Sequence, residues 1–307
     1  MEKRYSDYNT YLRKLFGQRV QKIAIDAGLS CPNRDTLLKK GCIYCNSKGS
    51  GSGLYSKGYS IKDQIEIGKI GMIKKYKAKK FLAYFQSFSN TYTNVSHMKD
   101  IYEQALFCDG IVGMAIGTRP DCINEEKLDL IESYTKDYLV WLEYGLQSVH
   151  DSTLKIINRG HDFKSFSNAL NLTKDRGINV CAHVILGLPK ESKSMMIETA
   201  KVLSDMPIDG VKIHLLYVIK GTKLDAMWQK GEYVPMNQEE YVDVICEFLE
   251  YLPKRIIIQR ITADPHKEEL QAPIWAKNYR QTFNMIQDFL EKKDSEQGKK
   301  YVKPKSV

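Results

Sequence analysis

The sequence has no apolar run approaching the roughly 20 residues that a bilayer-spanning helix requires. Its first stretch, "MEKRYSDYNTYLRKLFGQ", lacks the apolar core of a signal peptide. Together these absences set the expectation of a cytoplasmic protein with no membrane partner. Cysteine is scarce, 7 in 307 residues, and an odd count with three packed together argues for metal ligands in a reducing compartment rather than a disulfide framework. The 3 tryptophans, Trp141, Trp228 and Trp275, form no aromatic series that would stack bases. No G-x-G-x-x-G follows the first strand candidate, which disfavours a dinucleotide-binding fold. No linker divides the chain.

What is present suits one large soluble domain: 43% hydrophobic residues, ample for a core, and 46 basic against 37 acidic side chains, a net charge of +9. The excess favours a polyanionic partner without naming it. It gathers in "KKYKAKK" before Phe81, in "LPKR" at 252–255, and in the tail "EQGKKYVKPKSV", whose lack of apolar periodicity predicts a disordered terminus. Strand-like runs at 20–26, 80–86, 110–118, 138–148, 178–188 and 210–218 alternate with amphipathic segments. Asn94, Asn124 and Asp162 stand where N-caps are expected, and Gly177 where a helix would stop. Beyond the sixth strand come a helix, the short strand "RIIIQRIT" and a closing helix. The expected fold is an α/β, partial TIM-type (β/α)6 barrel over residues 1–275, with a helix and basic tail at 276–307.

In such a barrel the loops after the strands share one mouth. The first of them holds "CPNRDTLLKKGCIYC", with Cys31, Cys42 and Cys45 followed by "NSKGSGSG". A closed structural zinc site takes four Cys or His ligands, so zinc would need a distant partner such as His97, Cys108 or Cys122. Three thiolates on a four-iron cluster would leave one iron open for chemistry. The stretch alone leaves both readings standing. Cys108, Cys181 and Cys246 suit buried small hydrophobes, whereas Cys122 lies in a strand-end loop. Two further signals lie on strand four and just after it. Glu143 and Gln147, four apart on a strand, face one side together with Gly145, and Arg159 is a guanidinium suited to a carboxylate. Gln86 closes strand two. Arg119, Asp121, His183, Lys212 and His214 are carried toward the same mouth as candidates for substrate or cofactor contact, with Arg119, Lys212 and His214 as the candidates for catalysis.

The motifs "CPNRD", "YFQSFSNTY", "GTRPDC", "LEYGLQS", "NRGHD", "HVILGLP", "VKIHLL" and "ITADPH" resemble the radical S-adenosylmethionine (radical SAM) superfamily. Within it they are similar to the branch containing the catalytic subunit of Elongator, and more so to the bacterial YhcC/YtqA (MnmL) group, from about Tyr8 to Trp275. The chain departs from the superfamily's usual C-x3-C-x2-C by its long first spacing, and it lacks "GGE" after strand two. The resemblance implies a [4Fe–4S] cluster on Cys31, Cys42 and Cys45, S-adenosyl-L-methionine (SAM) held by Gln86, Glu143, Gln147 and Arg159, and an electron donor such as flavodoxin or ferredoxin. It also implies a tRNA substrate, with 5-carboxymethylaminomethyl-uridine at the wobble position trimmed to 5-aminomethyl-uridine. Acetyl transfer is not carried over, because one helix and a tail after Trp275 are too little to bind acetyl-CoA. Radical SAM chemistry on another RNA, a protein or a small molecule would use the same site. A zinc-stabilised, noncatalytic RNA-binding protein would account for the charge but leave "NRGHD" and the strand-end loops without a task.

Overall fold

The computed structural model describes residues 3–34, 41–46, 49, 51, 53–262, 265 and 268–303. Parts of the glycine-rich stretch, of "ITADPH" and of the tail's last residues lie outside them. In chain order the elements are α1 (Tyr8–Phe16), β1 (Val20–Ile25), α2 (Ile61–Tyr76), β2 (Lys80–Phe85), α3 (Val95–Leu106), β3 (Ile111–Thr118), α4 (Glu125–Ser133), β4 (Leu139–Gln147), α5 (Asp151–Ile156) and α6 (Phe163–Thr173). Then follow β5 (Asn179–Leu186), α7 (Lys193–Asp205), β6 (Gly210–Leu215), β7 (Val218–Ile219), α8 (Lys223–Gln229), α9 (Gln238–Tyr251), β8 (Ile257–Arg260), β9 (Leu270–Ala272) and α10 (Tyr279–Lys292). Among the described residues, no helix is long and apolar enough to cross a membrane.

The main sheet runs β1-β2-β3-β4-β5-β6-β8, parallel throughout, and curls into a half-barrel with helices on its outer face. The six expected strands are present, and the short run "RIIIQRIT" adds a seventh beside β6. Alternation along each strand divides the side chains between two cores. Outward residues such as Phe85, Ile116, Leu142, Tyr144, Leu146 and Ile213 pack under the helices. Inward residues Val20, Leu82, Ala115, Trp141 and Cys181 fill the end of the barrel where the strands begin, and α1 caps them with Tyr8 and Leu12. Trp141 is met edge-on by Tyr8 and Tyr11, at 5.5 and 5.9 Å between ring centroids. That end is a packed plug, so any ligand space must lie at the other.

Asn94, Asn124 and Asp162 cap α3, α4 and α6 by accepting from backbone N–H groups, as expected. Gly177 does not end α6. The helix stops at Thr173, and the left-handed residues Asp175 and Gly177 turn the chain into β5.

The basic segments need correction. "KKYKAKK" runs directly into the start of β2, and "LPKR" lies just before β8, so both sit at the plugged end. Arg255 spends its guanidinium on the carbonyls of Ser204, Met206 and Ile208, closing the C-terminus of α7. Nor is the tail disordered as far as residue 303. Lys300 pairs with Glu250 at 2.5 Å, and Gln297 is fully buried. The Gln297 amide accepts from the Ser6 N–H at 2.8 Å and donates to the Pro253 and Ile256 carbonyls at 2.8 and 2.7 Å, locking the N-terminal segment against the entry to β8.

Gln297→Ala removes the side-chain partner of the Ser6 N–H and the Ile256 carbonyl, while the Pro253 carbonyl keeps the Ile256 N–H at 2.9 Å; it should destabilise the protein by about 2–3 kcal/mol, since each unsatisfied buried group costs about 1–3 kcal/mol. A lowered urea midpoint at unchanged m-value is the expected outcome; an unshifted midpoint would show the lock to be dispensable.

Candidate functional site

The loop between β1 and α2 is seated by one apolar residue. Ile43 lies between Cys42 and Cys45, is buried among Leu154, Ile157, Leu216 and Leu224, and has both backbone groups bonded, to the Ile157 carbonyl at 3.1 Å and the Leu224 N–H at 2.8 Å. The cysteines on either side are thereby fixed in direction. A second tie comes from the turn after α5. Asn33 donates to the Asn158 carbonyl and Asn158 to the Gly41 carbonyl, each at 2.6 Å. Gly160, at φ +78°, leaves room for this contact; a Cβ there would come within 2.6 Å of Asn33 Oδ1. "CPNRD" and "NRGHD" are therefore two halves of one clasp. The loop after β2 adds a third tie: Ser89 N–H donates to the Ser30 carbonyl at 3.2 Å, and Phe88 packs against Gly49 and the Arg34 guanidinium.

The three thiols are free and border a cavity of about 350 Å³ at the ends of the strands. Among the described residues, no three of His, Cys, Asp or Glu are gathered into a metal-coordinating group. The donors around the sulfurs nonetheless suit anions: Arg34 Nη1 stands 3.3 Å from Cys45 Sγ, Arg159 Nη1 3.6 Å and Asn33 Nδ2 3.7 Å from Cys42 Sγ. Burial, then the neighbouring Cys42, push the Cys45 thiol up to about 11 against the pull of Arg34. Three crowded thiols, with Cys45 disfavoured as a thiolate until a cation arrives, are a donor set that metal binding would deprotonate.

The wall of the cavity comes from β4. Glu143, Gly145 and Gln147 line it in register, helped by a bulge at Leu146 that leaves Gln147 at φ +81°. Arg159 grips the Gly145 carbonyl with Nε and Nη2, at 3.2 and 2.6 Å, and a Cβ on Gly145 would overlap that guanidinium. Arg119 in turn donates to the Arg159 carbonyl at 2.8 Å and makes a two-bond fork with Asp121, at 2.8 and 2.6 Å.

Below lies a buried ion cluster. Glu143 has no exposure; Lys212 Nζ and His183 Nε2 reach one carboxylate oxygen at 2.9 and 2.8 Å, and Lys22 takes the other. Burial alone would raise the Glu143 carboxyl, but Lys212, Lys22 and His183 hold it well below the ordinary range. Burial brings Lys212 down to about 7 and, with Lys212 beside it, His183 to about 4. His214 is pushed well below its ordinary value by burial and then by Arg260.

The structure thus gathers Cys31, Cys42, Cys45, Gln86, Arg119, Glu143, Gln147, Arg159, His183 and His214 around one cavity. Lys212 and Asp121 are not among its lining. Lys212 is spent on Glu143 and on the Tyr84 hydroxyl, at 2.7 Å, and Asp121 on Arg119. Arg119, with its fork and its third bond made, is placed to hold the Arg159 turn rather than a ligand. The sequence reading passed over Arg34, Asn33, Asn158 and Arg260. The first three lay inside quoted motifs, and Arg260 inside a strand read only for its apolar residues.

Comparison with known proteins agrees with this geometry. The family described as "Radical SAM superfamily" matches residues 31–203, and "Radical_SAM C-terminal domain" matches residues 208–292. YtqA of Bacillus subtilis is 40% identical, covering 97% of this chain and 93% of its own, and YhcC of Escherichia coli K12 is 37% identical, covering 87% and 86%. A tRNA uridine(34) acetyltransferase of Methanocaldococcus infernus is 35% identical over 50% of this chain and 29% of its own. Among solved structures, archaeal Methanocaldococcus infernus Elp3 with an N-terminal deletion superposes with a TM-score of 0.69 at 21% identity, covering 91% of this chain and 64% of that one, a likeness of fold.

Removing the Glu143 charge leaves two lysines facing each other in a dry interior, and Glu143→Gln should destabilise the fold by about 3–5 kcal/mol. Because the folded carboxyl is held below its unfolded value, its contribution is complete above about pH 4.5. It is lost as pH falls through the folded value. Below about pH 4.5 the gap in urea midpoint between wild type and Glu143→Gln should accordingly shrink as the carboxylate is protonated; a gap that goes on widening there contradicts the ion cluster.

Proposed function

The chain belongs to the radical SAM superfamily, whose enzymes use a [4Fe–4S] cluster and SAM, and on that premise we propose that it is a tRNA-modifying enzyme converting 5-carboxymethylaminomethyl-uridine to 5-aminomethyl-uridine at the wobble position. The observation that carries the site assignment is the clasped loop presenting Cys31, Cys42 and Cys45 to the cavity with Arg34 and Arg159 against their sulfurs. In this reading the three cysteines hold the cluster. Gln86, Gln147 and Arg159 border the space for SAM, and Glu143 supports it from the floor. When bound, the two cofactors supply hydrogen-atom removal from a carbon too weakly acidic for any base in the cavity.

The chain's own residues bind and exclude. The plugged barrel end and the apolar seat around Ile43 keep water from the interior. At the substrate, the methylene between amine and carboxylate would lose one hydrogen atom, and the resulting radical would lose one electron to a one-electron acceptor such as the oxidised cluster and the N–H proton to water, giving an imine. Addition of water then splits the carbon–nitrogen bond, leaving the aminomethyl group and releasing glyoxylate. A tRNA substrate is supported by the similarity to a tRNA uridine(34) acetyltransferase and by the net charge of +9. Exposed Lys190, Lys220 and Lys223, in and beside the loops leaving β5 and β6, stand at the open end where phosphates would approach.

Anaerobic reconstitution should give about four irons per chain, as for a single cubane cluster, and Cys31→Ala, Cys42→Ala or Cys45→Ala should abolish it. Stoichiometric zinc, or a cluster that survives the triple substitution, would return the loop to a structural role. With reductant, SAM and tRNA carrying the carboxymethylaminomethyl group, nucleoside masses after digestion should show the aminomethyl product alongside 5′-deoxyadenosine. SAM cleavage with an unchanged wobble nucleoside would remove the tRNA activity and keep the radical enzyme.

A further inference from the structure

Arg260 ends β8 level with Lys212 of β6, and its side chain lines the floor of the cavity together with that of His214. Neither Arg260 nor His214 makes a side-chain hydrogen bond or ion pair with any described residue. The other charges bordering the cavity are all engaged. Glu143 is bonded to Lys22, Lys212 and His183, Arg119 to Asp121, Arg159 to the Gly145 carbonyl, Arg34 to the Asn46 carbonyl, and Glu269 to the Asn46 amide at 3.0 Å. Around the floor, Lys22, Lys212 and Arg260 therefore face a single carboxylate that is already saturated. A guanidinium and an imidazole left open side by side in a partly buried pocket make an anion subsite with fork geometry.

We infer that Arg260, with His214 beside it, receives the carboxylate of the substrate and so selects a carboxylate-bearing side chain. Two carboxylates would enter the cavity, that of SAM and that of the nucleoside. The cations at the cysteines are Arg34 and Arg159, whereas Arg260 acts on Tyr84, Lys212 and His214. The methionyl carboxylate belongs with the cysteine loop, which leaves Arg260 for the substrate. Backbone phosphates meet the rim first, and this pair lies below it on the strands. Arg260 takes over the task for which the sequence offered Arg119 and Lys212, both of which are already spent.

The inference rests on the proposed tRNA activity, and one set of measurements separates the two. Holoenzyme with SAM but no reductant is titrated with two tRNAs that differ only in bearing a carboxymethylaminomethyl or an aminomethyl wobble uridine. Wild type should prefer the carboxylated tRNA by about 10- to 100-fold, the worth of a charge-assisted hydrogen bond. R260Q and R260M should lose that preference while binding SAM as wild type does, which also shows them folded; either variant suffices. A preference retained in R260Q, or a loss of SAM affinity with the preference intact, overturns the assignment and in the second case gives Arg260 to the cofactor. If wild type converts the carboxylated tRNA and R260Q still discriminates, only this inference fails. If wild type neither converts nor prefers that tRNA, the functional reading fails and takes this one with it.

Discussion

A carboxylate without access to water must be matched by donors or it will take up a proton. Glu143 is matched from three different strands: Lys22 on β1, His183 on β5 and Lys212 on β6. Lys22 also donates to Gln259 on β8 at 2.7 Å, and the Ile258 N–H of β8 donates to the Ser6 carbonyl. The two edge strands of the half-barrel are thus joined through its interior and through the segment leading into α1. The lysines gain aromatic support as well: Lys22 lies 4.7 Å from the Tyr8 ring centroid and Lys212 4.2 Å from that of Tyr84. One charge therefore sets both the closure of the barrel and the height of the cavity floor.

The same charge fixes the electrical character of the space above. Glu143 is bonded to Lys22, Lys212 and His183 and not to Arg260, and the two histidines remain neutral beside a floor with more positive than negative charge. A neutral imidazole keeps one N–H donor and one acceptor, which makes His214 a partner to an anion without repelling Arg260. At the opposite side of the cavity Arg34 and Arg159 stand against the sulfurs. Two separate cationic regions, one against the sulfurs and one at the floor, would give a ligand with two anionic ends a defined orientation.

Much of this was legible in the sequence, and the reason is periodicity. Six strands and the caps at Asn94, Asn124 and Asp162 follow from local pattern and chemistry. The three loop cysteines followed from their place after strand one, Glu143 and Gln147 from sharing one face of strand four, and Arg159 from its chemistry just after a short helix, and all of them do border one cavity. The failures were of another kind. Lys212 and Arg119 have the right chemistry and the right strand position, but Lys212 is engaged by Glu143, a partner revealed only by the fold of the sheet, and Arg119 by Asp121 two residues along, a local pair that the sequence reading did not draw. The tail showed no apolar rhythm because it is held by polar contacts, Gln297 to backbone and Lys300 to Glu250, which leave no period. Arg260 was hidden because a register shift between β6 and β8 lets Gln259 bond to Lys22 while its neighbour still lines the cavity.

The long spacing between Cys31 and Cys42 is where sequence and space part most clearly. The Gly41 N–H donates to the Asn33 carbonyl at 2.9 Å, and the Arg34 N–H to the Cys31 carbonyl at 2.8 Å. The residues on either side of positions 35–40 are thereby tied to one another. The entropic cost of lengthening a loop closed in this way grows only with the logarithm of its length. The positions of the cysteines are set instead by contacts on either side of residues 35–40: Asn33 on the Asn158 carbonyl, Gly41 under the Asn158 amide, Ile43 in its apolar seat. Spacing in the chain is thereby uncoupled from spacing at the site. The clasp residues Asn33, Asn158 and Gly160, more than the interval between cysteines, define the loop.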